Sequence, residues 1–240
     1  MDQTDSNATA ANDAVRHEWM RRIEAEYCSA AHTQHLTLWL IQLGFPRELI
    51  NDGLRIVQDE LDHAELSATV YQAAGGSSAP VLVEQTLALK TRHQLLRHDA
   101  LLFAVDIFCL GETVAVPLFK ELRSECTVPV ARGALDRILR DEVRHRQFGW
   151  DVLDYFIDVH TDSKKLVIDA LPALFARLIH LYGRAPKELI IADRTSRAWG
   201  LMPFAHYRAI LFETMETEIL PRFADHGIAA ASIWAAQAQL

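Results

Sequence analysis

The chain has 240 residues, half of them apolar, with only 10 Gly and 8 Pro. That describes a packed chain with enough material for one large core, not a disordered one. The formal charge is −8, so phosphate-driven counterion release offers nothing and no nucleic-acid partner is expected.

Met1 to Asn12 is polar and acidic and lacks an apolar h-region, so 1–12 reads as a disordered lead-in and not as a signal peptide. From there helical periodicity dominates and strand signals are nearly absent. A first helix is expected from about Asp13 to Leu43, ended by Gly44 and Pro46. A second runs from about Pro46 to Ala74, ended by Gly75-Gly76. A third runs from about Pro80 to Glu125 and is expected to bend or break on the way, Pro117 being one expected kink. A fourth runs from about Pro129 to His160. The remainder also looks helical over Ser163–Tyr182, Pro186–Arg197 and His206–Asp225. Trp199 to Phe204 is an irregular apolar connection, either a lid or packing for the last helices. Short Gly- and Pro-bearing turns predict antiparallel neighbours. No linker marks a boundary, so 13–240 is read as one all-α domain, with 13–160 as its bundle and 161–240 as an extension. No uncharged apolar run of membrane length occurs, so no transmembrane helix is expected. Cys28, Cys109 and Cys126 lack metal-finger spacing and read as free thiols of a cytoplasmic protein.

One five-residue word occurs twice, as Asp59-Glu60-Leu61-Asp62-His63 and Asp141-Glu142-Val143-Arg144-His145. On a helix, a Glu and a His three apart project from one face about one turn apart. Such a face can hold a carboxylate and an imidazole on one metal ion, and two copies suggest two equivalent half-sites. The neighbouring stripes reinforce this. Val15, Trp19, Ile23, Glu26, Ala30, Thr33 and Thr37 form one on the first helix. Leu49, Gly53, Ile56, Glu60, His63, Ser67 and Val70 form the second. Leu102, Val105, Cys109, Glu112, Val116 and Phe119 form the third, and Leu135, Ile138, Glu142, His145, Gly149, Val152 and Phe156 the fourth. In each, a Glu interrupts a face that should meet a core. Glu18 and Glu24 lie off the stripe, which selects Glu26.

Four buried carboxylates are prohibitive unless compensated. Two divalent cations balance them. Oxygen and nitrogen donors without thiolates favour iron or manganese over structural zinc. The candidate ligands are therefore Glu26, Glu60, His63, Glu112, Glu142 and His145.

This order of Glu, E-x-x-H, Glu, E-x-x-H on four successive helices resembles the ferritin-like di-iron carboxylate superfamily, over roughly residues 13 to 160. The resemblance implies a ferritin-like four-helix bundle with additional C-terminal helices. It implies Glu60 and Glu142 as bridges, Glu26 and His63 on one metal, and Glu112 and His145 on the other. It also implies that Asp59 and Asp141 accept hydrogen bonds from ligand histidines, which fixes the tautomer. The cofactors implied are two Fe ions cycling between Fe2+ and Fe3+, or a Mn/Fe pair, with O2 as co-substrate. Among branches, the arylamine N-oxygenases carry an extra His where this chain has Ile138.

Small residues near the ligands, Ala30, Thr33, Ser67, Ala115 and Gly149, would leave space that Val105, Phe108, Cys109, Val116 and Ile138 wall with apolar surface. The function expected is a di-iron oxygenase or oxidase acting on a small organic molecule. The alternative is iron handling or peroxide scavenging without an organic substrate. No GxGxxG motif is present, so electrons are expected from an external reductase or ferredoxin. No membrane partner is expected, and a homodimer stays open. Glu213, Glu216 and Glu218 read as a solvated or salt-bridged helix face near Arg208 and Arg222, and His32, His35, His93 and His98 carry no ligand spacing.

Overall fold

A computed structural model describes residues 11–183 and 193–238, and these are helical with no strand among them. Helix α1 spans Asp13–Gln42 and starts where the Asn12 side chain accepts the backbone N–H of Val15 at 3.0 Å. Gly44, at φ 73°, reverses the chain, and α2, Arg47–Ala73, folds back along α1. Helix α3 spans Leu96–Ser124 and α4 spans Pro129–Val159, with Pro129 in the first turn where its missing N–H costs nothing. α2 packs on α4, α4 on α3, and α3 closes against α1. Helix α5, Ser163–Gly183, lies against α3. Then come α6, Arg194–Ala198, and α7, Phe204–Thr214, which continues through a π turn, Met215–Ile219, into Leu220–Asp225. A last helix, α8, Ala231–Gln237, seats Trp234 against Phe175 and Phe212; it had no forecast from periodicity.

The stripes forecast for α1 and α4 are buried throughout, and that of α2 is buried from Gly53 onward. Three expectations need correction. First, 80–95 is not helix. It is an exposed strap with one 3₁₀ turn, Glu84–Thr86. Asp99 pins its end, accepting the backbone N–H groups of Arg92 at 2.9 Å and His93 at 3.2 Å. The Pro80-Val81-Leu82-Val83 start offers β-branched residues with no core to meet, and Val81 is 73% exposed. Second, the irregularity of α3 precedes Pro117. Ala104–Glu112 is a π segment, and Pro117 sits within regular helix after it. Third, α3 and α5 are both long and apolar enough to cross a bilayer by length and composition, although neither contains an uncharged run of that length. In α3 that apolarity is used inside the protein, where Val105, Phe108, Cys109, Leu110 and Val114 are fully buried.

The lead-in expected over 1–12 lies outside the described residues up to position 10, as does 184–192 of the helix expected at Pro186–Arg197. Within Trp199 to Phe204, Trp199 and Gly200 tie the C-terminal part to α1. The Trp199 carbonyl accepts the Trp19 indole N–H at 3.0 Å, and the Gly200 carbonyl accepts from buried Arg22 at 2.9 Å. Glu18, off the α1 stripe, is nonetheless buried as the partner of Arg22 at 3.4 Å.

Candidate metal centre

Four helices bring the six stripe residues into one cluster. Glu26, Glu60 and His63 each offer a donor atom within 4.8 Å of the others, and so do Glu60, Glu112 and His145. Glu60 belongs to both sets. Glu142 lies between the imidazoles, with its carboxylate 3.9 Å from His63 Nδ1 and 3.4 Å from His145 Nδ1. Glu60 mirrors it at 3.7 Å and 3.3 Å. Both histidines are fully buried; Glu26, Glu60 and Glu142 are buried, and Glu112 is half-buried at the rim.

The far side of each ring is held by the opposite motif. His63 Nε2 donates to Asp141 Oδ2 at 3.3 Å, and His145 Nε2 donates to Asp59 Oδ2 at 3.2 Å. A carboxylate only accepts, so Nε2 carries the proton and Nδ1 presents its lone pair to the glutamates. Two arginines tie the aspartates together. Arg144 reaches Asp59 Oδ2 at 2.6 Å and Asp141 Oδ1 at 3.1 Å, and Arg137 Nε donates to Asp141 Oδ2 at 2.5 Å. Burial pushes both aspartates up, but these bonds outweigh it and hold them below the ordinary carboxylate range.

The residues fit a dinuclear cation site. His63 Nδ1, His145 Nδ1 and Glu142 Oε2 are buried atoms without a hydrogen-bond partner. Such orphans are costly unless something else engages them. Protons alone must otherwise balance the charge. Burial, then the neighbouring Glu60, pushes Glu26 well above its usual value, and burial, then Glu142, does the same to Glu112. Burial pushes the imidazoles down, but Glu60 and Glu142 raise both above the ordinary histidine range. Burial also pushes Glu60 up, and the neighbouring imidazoles of His145 and His63 reverse that and hold it low. Two cations would displace these protons and meet those three orphaned atoms.

The pocket residues expected from sequence fare unevenly. Ala30, Thr33, Ser67, Val105, Phe108 and Cys109 are buried in close packing. Gly149 opens no space. A Cβ there would lie 2.7 Å from the Cys109 backbone nitrogen and closer still to Phe108 Cβ, so this glycine lets α4 touch α3. Ala115 of that set borders a cavity, of about 140 Å3, shared with Ile107, Gly111, Glu112, Leu178 and Tyr182. The opening therefore lies on the α5 side of Glu112. Sequence reasoning missed Arg137, Arg144 and Tyr182. Arg144 stands inside the second word and Arg137 one turn before it, on the face that carries Asp141, and helix spacing gives that signal. Nothing in the sequence marks Tyr182, which reaches the cavity through the fold.

The bland alternatives hold elsewhere. His98 pairs with Asp162, His93 with Asp99, and His32 meets the Thr86 carbonyl. Glu218 pairs with Arg146 at 2.7 Å, and Glu216 accepts from Trp234. The thiols of Cys28, Cys109 and Cys126 are free. Comparison with family models, curated proteins and solved structures finds no match to this chain.

Proposed function

We propose that this chain is a ferritin-like four-helix bundle holding two metal ions, iron or a manganese–iron pair, and that it uses O2 to oxidise a small organic molecule. One observation carries the reading. Two buried imidazoles, locked by Asp141 and Asp59, aim unpartnered Nδ1 atoms at two carboxylates that lie between them. Glu26, Glu60 and His63 would hold one ion, Glu112, Glu60 and His145 the other, with Glu142 completing the bridge. Iron so held would supply the electrons for reducing O2, and an external reductase or ferredoxin would restore them.

The chain's own groups set the conditions. Asp59 and Asp141 fix which imidazole nitrogen is free. Ile107 and Leu178 line the cavity beside Glu112 with apolar surface. Glu60 and Glu142 lie symmetrically to both rings, so either can bridge. A second reading, iron handling or peroxide scavenging, is favoured by the small cavity at Glu112, about 140 Å3.

The test is anaerobic loading with Fe(II), metal analysis, then O2 mixing followed by stopped-flow absorption. Two irons per chain and a transient absorbing species support the reading. One iron per chain, or oxidation no faster than for free Fe(II), overturns it. Organic compounds that change the decay of the transient separate oxygenase from iron handling.

A further inference from the structure

A second, larger cavity of about 610 Å3 lies beside the one at Glu112. Ile107 of α3 and Arg177 of α5 border both. Its floor is apolar, with Trp39, Leu102, Phe103 and Leu174, and the 80–95 strap forms its outer wall through Thr86, Leu89 and Arg92. Its volume is that of an ordinary small-molecule site. Lys90, Arg92 and Arg177 line it in a chain whose overall charge is −8. A local cationic patch in an acidic protein draws anions to that place.

Two acids also line it, and they differ. Asp99 is already satisfied by two backbone N–H groups and by His93 Nδ1 at 2.8 Å, so its charge is spent on anchoring the strap. Asp106 is bound by Arg177. Nε and Nη2 both donate to the same oxygen, Oδ1, at 2.8 Å and 2.5 Å. This is not the two-oxygen fork that an arginine prefers. Burial also pushes Asp106 above the usual carboxylate range in spite of Arg177. Asp106 is thus an indifferent partner for a guanidinium that sits between two cavities.

We propose that Arg177 anchors the carboxylate of an organic anion, that this carboxylate displaces Asp106, and that the anion's apolar end enters the cavity at Glu112. The inner volume, about 140 Å3, sets the size of that end, since an apolar cavity of roughly 150 Å3 takes one benzene ring. The substrate class is therefore a small monocarboxylate carrying a ring or a short branched chain. This rests on the reading of the Glu60–Glu142 cluster as the reacting centre, and its own test is a binding measurement that needs no turnover.

Calorimetric titration compares benzoate and hexanoate with benzyl alcohol and benzylamine, on metal-free and Fe(II)-loaded protein under argon. The carboxylates should bind at least about tenfold tighter than the alcohol or amine, the scale of one charge-assisted hydrogen bond. Arg177→Met should lower benzoate affinity about tenfold or more and leave the alcohol unchanged, with Arg177→Lys between. Asp106→Asn should raise benzoate affinity, because the competitor is gone. Opposite signs for the two variants distinguish an anchor from a structural ion pair, whose loss would act alike in both. Gly111→Leu adds bulk where a Cβ meets only the Asp106 carbonyl at 3.7 Å, and should block benzoate while acetate still binds. Circular dichroism controls for folding. Equal affinity for carboxylate and alcohol, or the same sign of change for Arg177→Met and Asp106→Asn, overturns the proposal. Carboxylate binding without metal uptake would sink the metal reading and leave the anchor standing; two metals without carboxylate binding would do the reverse.

Discussion

The crossed hydrogen bonds make a prediction that position in the sequence would not. Asp141 lies in the second motif but holds His63, of the first, at 3.3 Å; it is 3% exposed. Asp141→Ala removes that acceptor. The His63 ring then has no reason to keep its proton on Nε2, and the tautomer with the lone pair on Nδ1 loses its preference. Outer partners of this kind are worth about 10- to 100-fold in metal affinity, or about 1.4–2.7 kcal/mol. The loss should fall on the ion held by Glu26, Glu60 and His63, and spare the one held by Glu112 and His145. Asp59→Ala should do the opposite, through His145 at 3.2 Å.

Competitive Co(II) titration, read from the visible bands of each bound ion, separates the two affinities. A double-mutant cycle then isolates the pair. Asp141→Ala and His63→Ala should be strongly non-additive, since the second removes what the first acts through, while Asp141→Ala and His145→Ala should be nearer to additive. Arg137 and Arg144 touch both aspartates, so a small shared loss is allowed for. Equal weakening of both ions by Asp141→Ala, or additivity with His63→Ala, would refute the crossed assignment.

Glu60→Ala should lose both ions together, because Glu60 belongs to both donor sets, whereas Glu26→Ala should empty chiefly one; metal analysis after desalting reads this. Without metal, Glu26 and Glu112 keep raised pKa values, so their protons stabilise the fold at low pH. That contribution should fade as pH rises above the ordinary Glu value of 4.5 and through the raised ones, so the gap in Tm between loaded and metal-free protein should widen with pH. Loading in weak buffer should also release protons from these groups; a pH-independent Tm gap with no proton release would contradict a buried site. Gly149→Ala should cost about 1–3 kcal/mol by denaturant titration, as its Cβ meets the Phe108–Cys109 backbone. A neutral effect there would mean that α3 and α4 can separate freely.

Much of the bundle was legible because a buried face writes its period into the sequence. The stripe through Val15, Trp19, Ile23 and Glu26 is buried as its spacing requires, and so is that through Leu135, Ile138 and Glu142. The strap at 80–95 was misread for a related reason. Val81, Leu82, Val83, Leu87 and Leu89 look like the start of an apolar helix, but periodicity carries no mark that says whether a partner face exists. The Glu/His cluster was legible because acids on an apolar stripe demand an explanation. The cavity was not, because small residues have two uses. Gly149 lets helices touch, and Gly111 opens space, and only the neighbouring helix decides which.

The two halves repeat their Glu/His sets but not their surroundings. Glu26 is buried at 8% exposure, and the next α1 residues inward, Ala30 and Thr33, are packed. Its counterpart Glu112 ends a π segment, where the helix widens and its regular hydrogen bonding lapses. Such a turn lets Glu112 face the cluster while Gly111, next to it, faces the cavity. Beyond stand Tyr182 and Arg177 of α5. The first motif carries Asp62 where the second carries Arg144, so the arginine that ties the aspartates also comes from one half only. Duplication thus accounts for the paired Glu/His sets, and the C-terminal addition for the cavity beside Glu112. If the cluster holds two ions as proposed, a molecule entering by that cavity would meet it past Glu112, from the α5 side.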